Sequence, residues 1–221
     1  MTSIAPVVTL SPRDYDAVLF DLDGVLTRTA SVHAAAWEKL FNAFLKQRAA
    51  RTGEPFVPFS TNADYYQYVD GKPRYDGVAS FLESRGIDLP FGSPDDGPGA
   101  ETVHGLGKLK DQYFTEQLEQ RGVEVFEPAI ALVRTLRAQD IKTAVVSSSN
   151  NCAAVLKAAG IAQLFDARVD GIDSAHLNLK GKPAPDAFLE GARRLKTEPA
   201  RAVVVEDALA GVAAGRAGGF G

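Results

Sequence analysis

The stretch Asp16-Ala-Val-Leu-Phe-Asp21-Leu-Asp23-Gly24-Val-Leu-Thr27 constrains this chain more than any other. Ala17 to Phe20 is a short apolar run, which fits a strand buried on both faces. Two acids, Asp21 and Asp23, follow it and lead into Gly24. An acid at the carboxyl end of a parallel strand lies where open α/β sheets bind ligands. Two carboxylates crowded there resist ionisation unless a cation neutralises them. A hard cation such as Mg2+, which takes oxygen ligands and bridges to phosphate, answers that need. A carboxylate beside such a phosphate can attack phosphorus. A second acid can trade protons with the entering and leaving oxygens. A turn or a calcium-binding loop would use the same residue types.

Two further strand-like runs end in polar clusters. Lys142 to Val146 leads into Ser147-Ser148-Ser149-Asn150-Asn151, and Ala202 to Val205 leads into Glu206-Asp207. Between them lies Gly181-Lys182-Pro183-Ala184-Pro185-Asp186, a lysine on a proline-stiffened loop. With these residues in this order the chain resembles the haloacid dehalogenase superfamily of aspartate-dependent phosphotransferases, and within it the β-phosphoglucomutase branch.

The resemblance implies a doubly wound parallel α/β sheet with a small α-helical cap inserted after the first strand. It makes Asp21 the nucleophile and Asp23 the general acid/base. It assigns Ser147 and Lys182 to the transferring phosphate. Mg2+ would be held by Asp21, the Asp23 backbone carbonyl, Glu206 and Asp207. An N-cap before Ala208 is the structural alternative for Glu206 and Asp207. Thr29 and His33 match hinge-side positions, where His33 would position Asp23 or the acceptor hydroxyl. A helix-face histidine near the surface is the alternative. Gly71, Lys72 and Arg74 match a cap substrate loop, Arg74 offering a bidentate fork to a phosphate. Lys110 matches a further cap lysine, or is an ordinary helix-surface lysine. Ser149, Asn150 and Asn151 match positions that hold a sugar phosphate. Asp70 and Asn150 both stand where lysines are expected, and Arg28 stands where the branch carries Asp. The implied reaction interconverts β-glucose 1-phosphate and glucose 6-phosphate through an aspartyl phosphate. Alternatives are a phosphatase acting on a small phosphomonoester, and a non-catalytic or fused module.

Composition sets the bounds. The 221 residues carry a net charge of −4, which leaves no basic footprint for nucleic acid or an anionic membrane. No apolar run approaches the roughly 20 residues of a membrane span. The one cysteine, Cys152, excludes an internal disulfide and suits a reducing cytoplasm. A cytoplasmic monomer acting on a small phosphorylated sugar is expected.

Periodicity sets the organisation. Met1 to Asp14 reads as a polar lead-in, and Ser31 to Leu45 as a helix with Trp37, Phe41 and Phe44 on its apolar side. Residues 51–64 read as a loop with exposed aromatics, with further helices over 75–83 and 108–120. Residues 31–124 thus form the helical cap, and 1–30 with 125–221 the core. In the core, helices are expected over 129–138, 151–159, 185–195 and 208–217, and a short strand over 167–169. Gly218-Gly219-Phe220 leads toward a further strand where the chain stops, so the core is expected to be C-terminally incomplete.

Overall fold

A computed structural model describes residues 9–221, so the first eight residues of the polar lead-in lie outside the described residues. Four strands, β1 (Ala17–Phe20), β2 (Lys142–Val146), β3 (Ala167–Val169) and β4 (Ala202–Val205), form one sheet in the order β3-β2-β1-β4. All pairings are parallel, with Phe20 opposite both Val145 and Val205. Parallel strands need crossovers, and helices supply them on both faces.

Alternation along β1 shows why its sequence is uniformly apolar. Val18 and Phe20 face a cluster with Ile130, Val133 and Leu136 of α4 (Glu127–Ala138) and Val155 and Leu156 of α5 (Cys152–Ala158). Ala17 and Leu19 face the opposite cluster, with Phe188 and Leu195 of α7 (Asp186–Leu195) and Ala214 of α8 (Leu209–Ala217). Neither face meets water, so neither can carry the polar half of an amphipathic strand.

Between β1 and α4 the chain builds a helical layer. Its helices are α1 (Ala30–Thr52), α2 (Arg74–Ser84) and α3 (Val103–Arg121), with a π-helical turn at Tyr65–Val69. This layer has its own core around Trp37, Phe41, Phe44, Phe59 and Phe81. The Phe41 and Phe81 rings lie 4.0 Å apart between centroids. Two linker segments join the layer to the sheet and run side by side. Arg28 N–H donates to Glu124 O at 2.9 Å, and Phe126 N–H to Leu26 O at 2.9 Å.

Three expectations need correction. α1 runs on to Thr52, so the loop begins later, and Phe59 within it is buried. Lys46 to Ala50 lack an apolar period but are good helix formers, and the helix stops only where Gly53 turns left-handed at φ 77°. α3 begins at Val103, capped by the Thr102 hydroxyl, which accepts from Gly105 N–H. A short helix, α6 (Gly171–His176), capped by Asp170, follows β3.

Candidate active site

β1 and β4 end in register and β2 runs one residue further, so Asp21, Glu206 and Ser147, each the next residue after its strand, emerge together at the carboxyl edge of the sheet. The loop before α7 brings Lys182 to them. Its Nζ donates to Asp21 Oδ1 at 2.6 Å and to Glu206 Oε2 at 2.8 Å. All three side chains are nearly inaccessible to solvent. Burial alone would strip the Lys182 proton, but Asp21 and Glu206 outweigh it and hold the ammonium above its ordinary pKa. One cation between two carboxylates leaves a buried negative charge unbalanced. Accordingly burial pushes the Asp21 carboxyl well above the usual range against the pull of Lys182, with Glu206 and Asp23 adding to the push.

Asp207 completes this acidic group. Carboxylate oxygens of Asp21, Glu206 and Asp207 all lie within 4.8 Å of one another. Gly24, at φ 92°, makes room for it: a Cβ there would sit 2.0 Å from Asp207 Oδ2. Three converging carboxylates with a surplus negative charge fit a hard divalent cation. Neither Glu206 nor Asp207 is the α8 N-cap. Ala208 holds that position, and Glu206 instead accepts from Ala208 N–H at 3.2 Å.

A second polar line reaches Asp23 from the helical layer. Thr29 is the N-cap residue of α1, yet its hydroxyl makes no cap bond and donates to Asp23 Oδ1. His33 Nε2 lies 3.3 Å from the same oxygen but has no hydrogen-bond partner among the described residues. On its other side His33 Nδ1 is 2.6 Å from Lys110 Nζ. Lys110 is 4% exposed, which excludes the helix-surface alternative. Its ammonium lies 5.0 Å from the ring centroids of both Trp37 and Phe114. Burial, with Arg74 nearby, pushes the lysine down to about 7. Burial and Lys110 also hold His33 below its ordinary value, despite Asp23. Burial disfavours the Asp23 carboxylate, yet His33, Thr29 and Lys110 together bring it below the usual range.

The remaining residues close a cavity of about 70 Å³ over these groups. Ser147 to Asn151, Tyr65, Asp70 to Lys72, Arg74, Lys110 and Asp111 line it. Ser148 Oγ donates to Gly71 O at 2.8 Å, tying the loop after β2 to the helical layer. Gly71, at φ 69°, presses so close that a Cβ would lie 2.8 Å from Ala208 Cβ. Lys72 borders the cavity, but its ammonium donates to Ser80 Oγ at 2.8 Å. The Asn150 side chain turns toward Gly171 at the start of α6, where an added Cβ would meet its Oδ1 at 2.2 Å. The Ser147 hydroxyl accepts from Ser149 N–H at 3.1 Å, and Ser149 Oγ accepts from Asn151 N–H at 3.1 Å. Arg74 Nη2 and Asn151 Nδ2 both donate to Asp111 Oδ1, at 2.7 and 2.8 Å.

Sequence reasoning missed Tyr65 and Asp111. Asp111 adjoins Lys110 on α3, and that adjacency was the available signal. Tyr65 sits in the π-helical turn, and burial together with Asp70 raises its hydroxyl far above the ordinary value. Burial likewise raises Asp70 and Asp207.

Comparison with known proteins places this geometry. The sequence model of a family described as haloacid dehalogenase-like hydrolase matches residues 15–219. A β-phosphoglucomutase of Mycobacterium bovis is 51% identical over 209 residues, covering 95% of this chain and 80% of that protein. The Bacillus subtilis β-phosphoglucomutase is 31% identical over 205 residues, covering 92% and 80%. A crystal structure of β-phosphoglucomutase from Clostridium difficile matches with a TM-score of 0.70 at 25% identity, over 93% of this chain and 82% of that one.

Proposed function

The chain belongs to the haloacid dehalogenase-like hydrolase family, and from that premise we propose that it is a β-phosphoglucomutase working through an aspartyl phosphate on Asp21. The observation that carries the reading is the line Lys110–His33–Asp23, which brings the helical cover onto the acid that must handle the acceptor proton.

In the proposed cycle the phosphorylated Asp21 meets β-glucose 1-phosphate. Asp23 takes the proton of the sugar 6-hydroxyl as that oxygen bonds to phosphorus, and the Asp21–phosphorus bond breaks. The resulting bisphosphate presents its 1-phosphate to Asp21. The Asp21 carboxylate attacks, Asp23 returns the proton to the departing sugar oxygen, and glucose 6-phosphate leaves. Asp23 suits both halves, because the groups around it keep its carboxylate available to accept a proton. The unpartnered His33 Nε2 would receive the acceptor hydroxyl beside Asp23. Lys182 and Ser147 would hold oxygens of the transferring phosphoryl group.

Asp21, Glu206, Asp207 and the Asp23 carbonyl would hold Mg2+, whose charge offsets that of the phosphate and of the acidic cluster. The 70 Å³ cavity is far below the roughly 300–1,000 Å³ of ligand pockets. The cover therefore opens to admit a sugar phosphate and closes to exclude water, which favours the sugar hydroxyl over water as acceptor. Location in the cytoplasm and a monomeric state belong to the same proposal. The buried free thiol of Cys152 agrees with a reducing compartment.

The test is one incubation with Mg2+, β-glucose 1-phosphate and a trace of glucose 1,6-bisphosphate, following glucose 6-phosphate and free phosphate together. Fast glucose 6-phosphate with little phosphate is expected. Phosphate released faster than glucose 6-phosphate forms would make the enzyme a phosphatase and direct attention to Asp70 and Asn150.

A further inference from the structure

Asp111 occupies a position that neither the sequence pattern nor the proposed cycle requires. It sits on α3 beside Lys110, and one of its oxygens accepts from Arg74 on α2 and from Asn151 at the start of α5. Arg74 belongs to the helical cover and Asn151 to the sheet side, so this single oxygen bridges the cleft. The resemblance gives both donors to phosphate, Arg74 as a fork in the cap loop and Asn151 at a position that holds the sugar phosphate. An Arg fork and an amide converging on one point make an anion receptor, and here a carboxylate fills it.

We propose that Asp111 is an internal competing anion: it seats itself on Arg74 and Asn151 and is displaced by the substrate's distal phosphate. This rests on the assignment of Arg74 and Asn151 to that phosphate, but it does not depend on whether the transferred group goes to a sugar or to water. The position of the bridge supports it, because Asp111, Arg74 and Asn151 all line the cavity and the bond across the cleft must break before a phosphate can take its place. Two other ties across the cleft are unlike it. Ser148 to Gly71 O is a neutral bond to backbone, and Pro73 against Gly181 is a packing contact. Asp111 matches the incoming ligand in charge, so it competes for the ligand's own partners.

The consequence is a lowered affinity for the distal phosphate. Removing the charge frees the receptor, so Asp111→Asn raises affinity for phosphate. The probe is inorganic phosphate titrated into the full chain. Calorimetry gives the affinity, and the emission of Trp37, the one tryptophan, reports change at the cavity it lines. The expected dissociation constant falls about two- to fivefold in Asp111→Asn, the scale of a partly exposed ion pair. Asp111→Ser moves it the same way. In an Arg74→Met background the Asp111 substitution has no effect, which separates this receptor from phosphate bound beside Asp21. With a turned-over sugar phosphate, KM falls while kcat does not rise. Phosphate affinity unchanged or weakened by Asp111→Asn overturns the proposal and makes Asp111 a residue that merely orients Arg74. Because the titration needs no turnover, it stands even where the isomerisation assay fails, and the two readings fail separately.

Discussion

At the sheet edge, Asp21, Ser147 and Glu206 each follow directly on the last residue of a strand. In the helical cover, Lys110, Asp111 and Arg74 come from two helices, and Gly71 and Lys72 from the turn before them. The edge is set by backbone hydrogen bonds in a parallel register, which leaves each side chain one place to go. The cover is set by side-chain packing on its own aromatic core, and its polar side chains choose partners among several. The edge therefore holds a chemistry common to many substrates, whereas the cover holds what differs between them. Substitutions at the edge should abolish activity or stability outright. Those in the cover should shift affinity and pH response.

The largest effect belongs to Asp21→Asn. The amide cannot form an acyl phosphate, so turnover falls by at least about 10⁴-fold, the scale seen when a catalytic nucleophile is removed. The burial that already raises the Asp21 pKa means that a neutral amide costs little stability. Single-turnover kinetics with an unchanged urea midpoint checks both halves. Retained turnover would move the chemistry off the sheet edge.

Lys182→Met comes next and reads stability more than rate. Lys182 is the cation between Asp21 and Glu206, all three buried. Its loss leaves two carboxylates facing each other, and breaking a buried pair from one side costs about 3–5 kcal/mol. Urea unfolding without divalent cation should show that loss. Added Mg2+ should recover part of it by binding the folded form alone. A variant as stable as the parent without Mg2+ would mean that the acidic cluster is not under the strain its geometry implies.

Lys110→Met tests the cover by pH. A lysine in the unfolded chain keeps its ordinary 10.5, while folded Lys110 is pushed down to about 7, by burial first. Between these values the unfolded chain binds a proton that the folded chain does not. Stability therefore rises with pH across that window, by at most about 1.4 kcal/mol per unit. Lys110→Met should flatten that rise. The measurement is the urea midpoint from pH 7 to 10, and an unaltered slope would place the titration elsewhere.

The same contrast explains what could be read in advance. All four strands, the acids at their ends and the lysine on its proline-stiffened loop were legible, because a doubly buried strand has one face pattern and its next residue has one direction. α6 was not, since six residues carry no helical period. Lys110 and His33 were legible as residue types but not as buried ones. Their burial comes from Phe114 stacking on His33 at 4.0 Å and Trp37 under the lysine, contacts between α1 and α3 that no local pattern announces. Beyond its adjacency to Lys110 nothing marked Asp111, for the same reason: its partners lie 37 and 40 residues away.

Lys72 gives the smallest effect and the sharpest use of the comparison. It sits in the loop that resemblance assigns to substrate, two residues before Arg74, yet its ammonium is already satisfied by Ser80 on α2. Burial lowers its pKa, with Asp76 and Glu83 opposing, so the amine gains nothing by turning toward a cavity already holding Arg74 and Lys110. Lys72→Met keeps the stem and drops the charge, and should leave kcat/KM within about threefold, the range of a surface ion pair. Arg74→Met, at the start of α2, removes the fork and should cost roughly 10- to 100-fold, mostly in KM. Equal losses at the two positions would mean that Lys72 leaves Ser80 when the substrate enters. In that case the closed arrangement of the cover understates the cations that reach the phosphate.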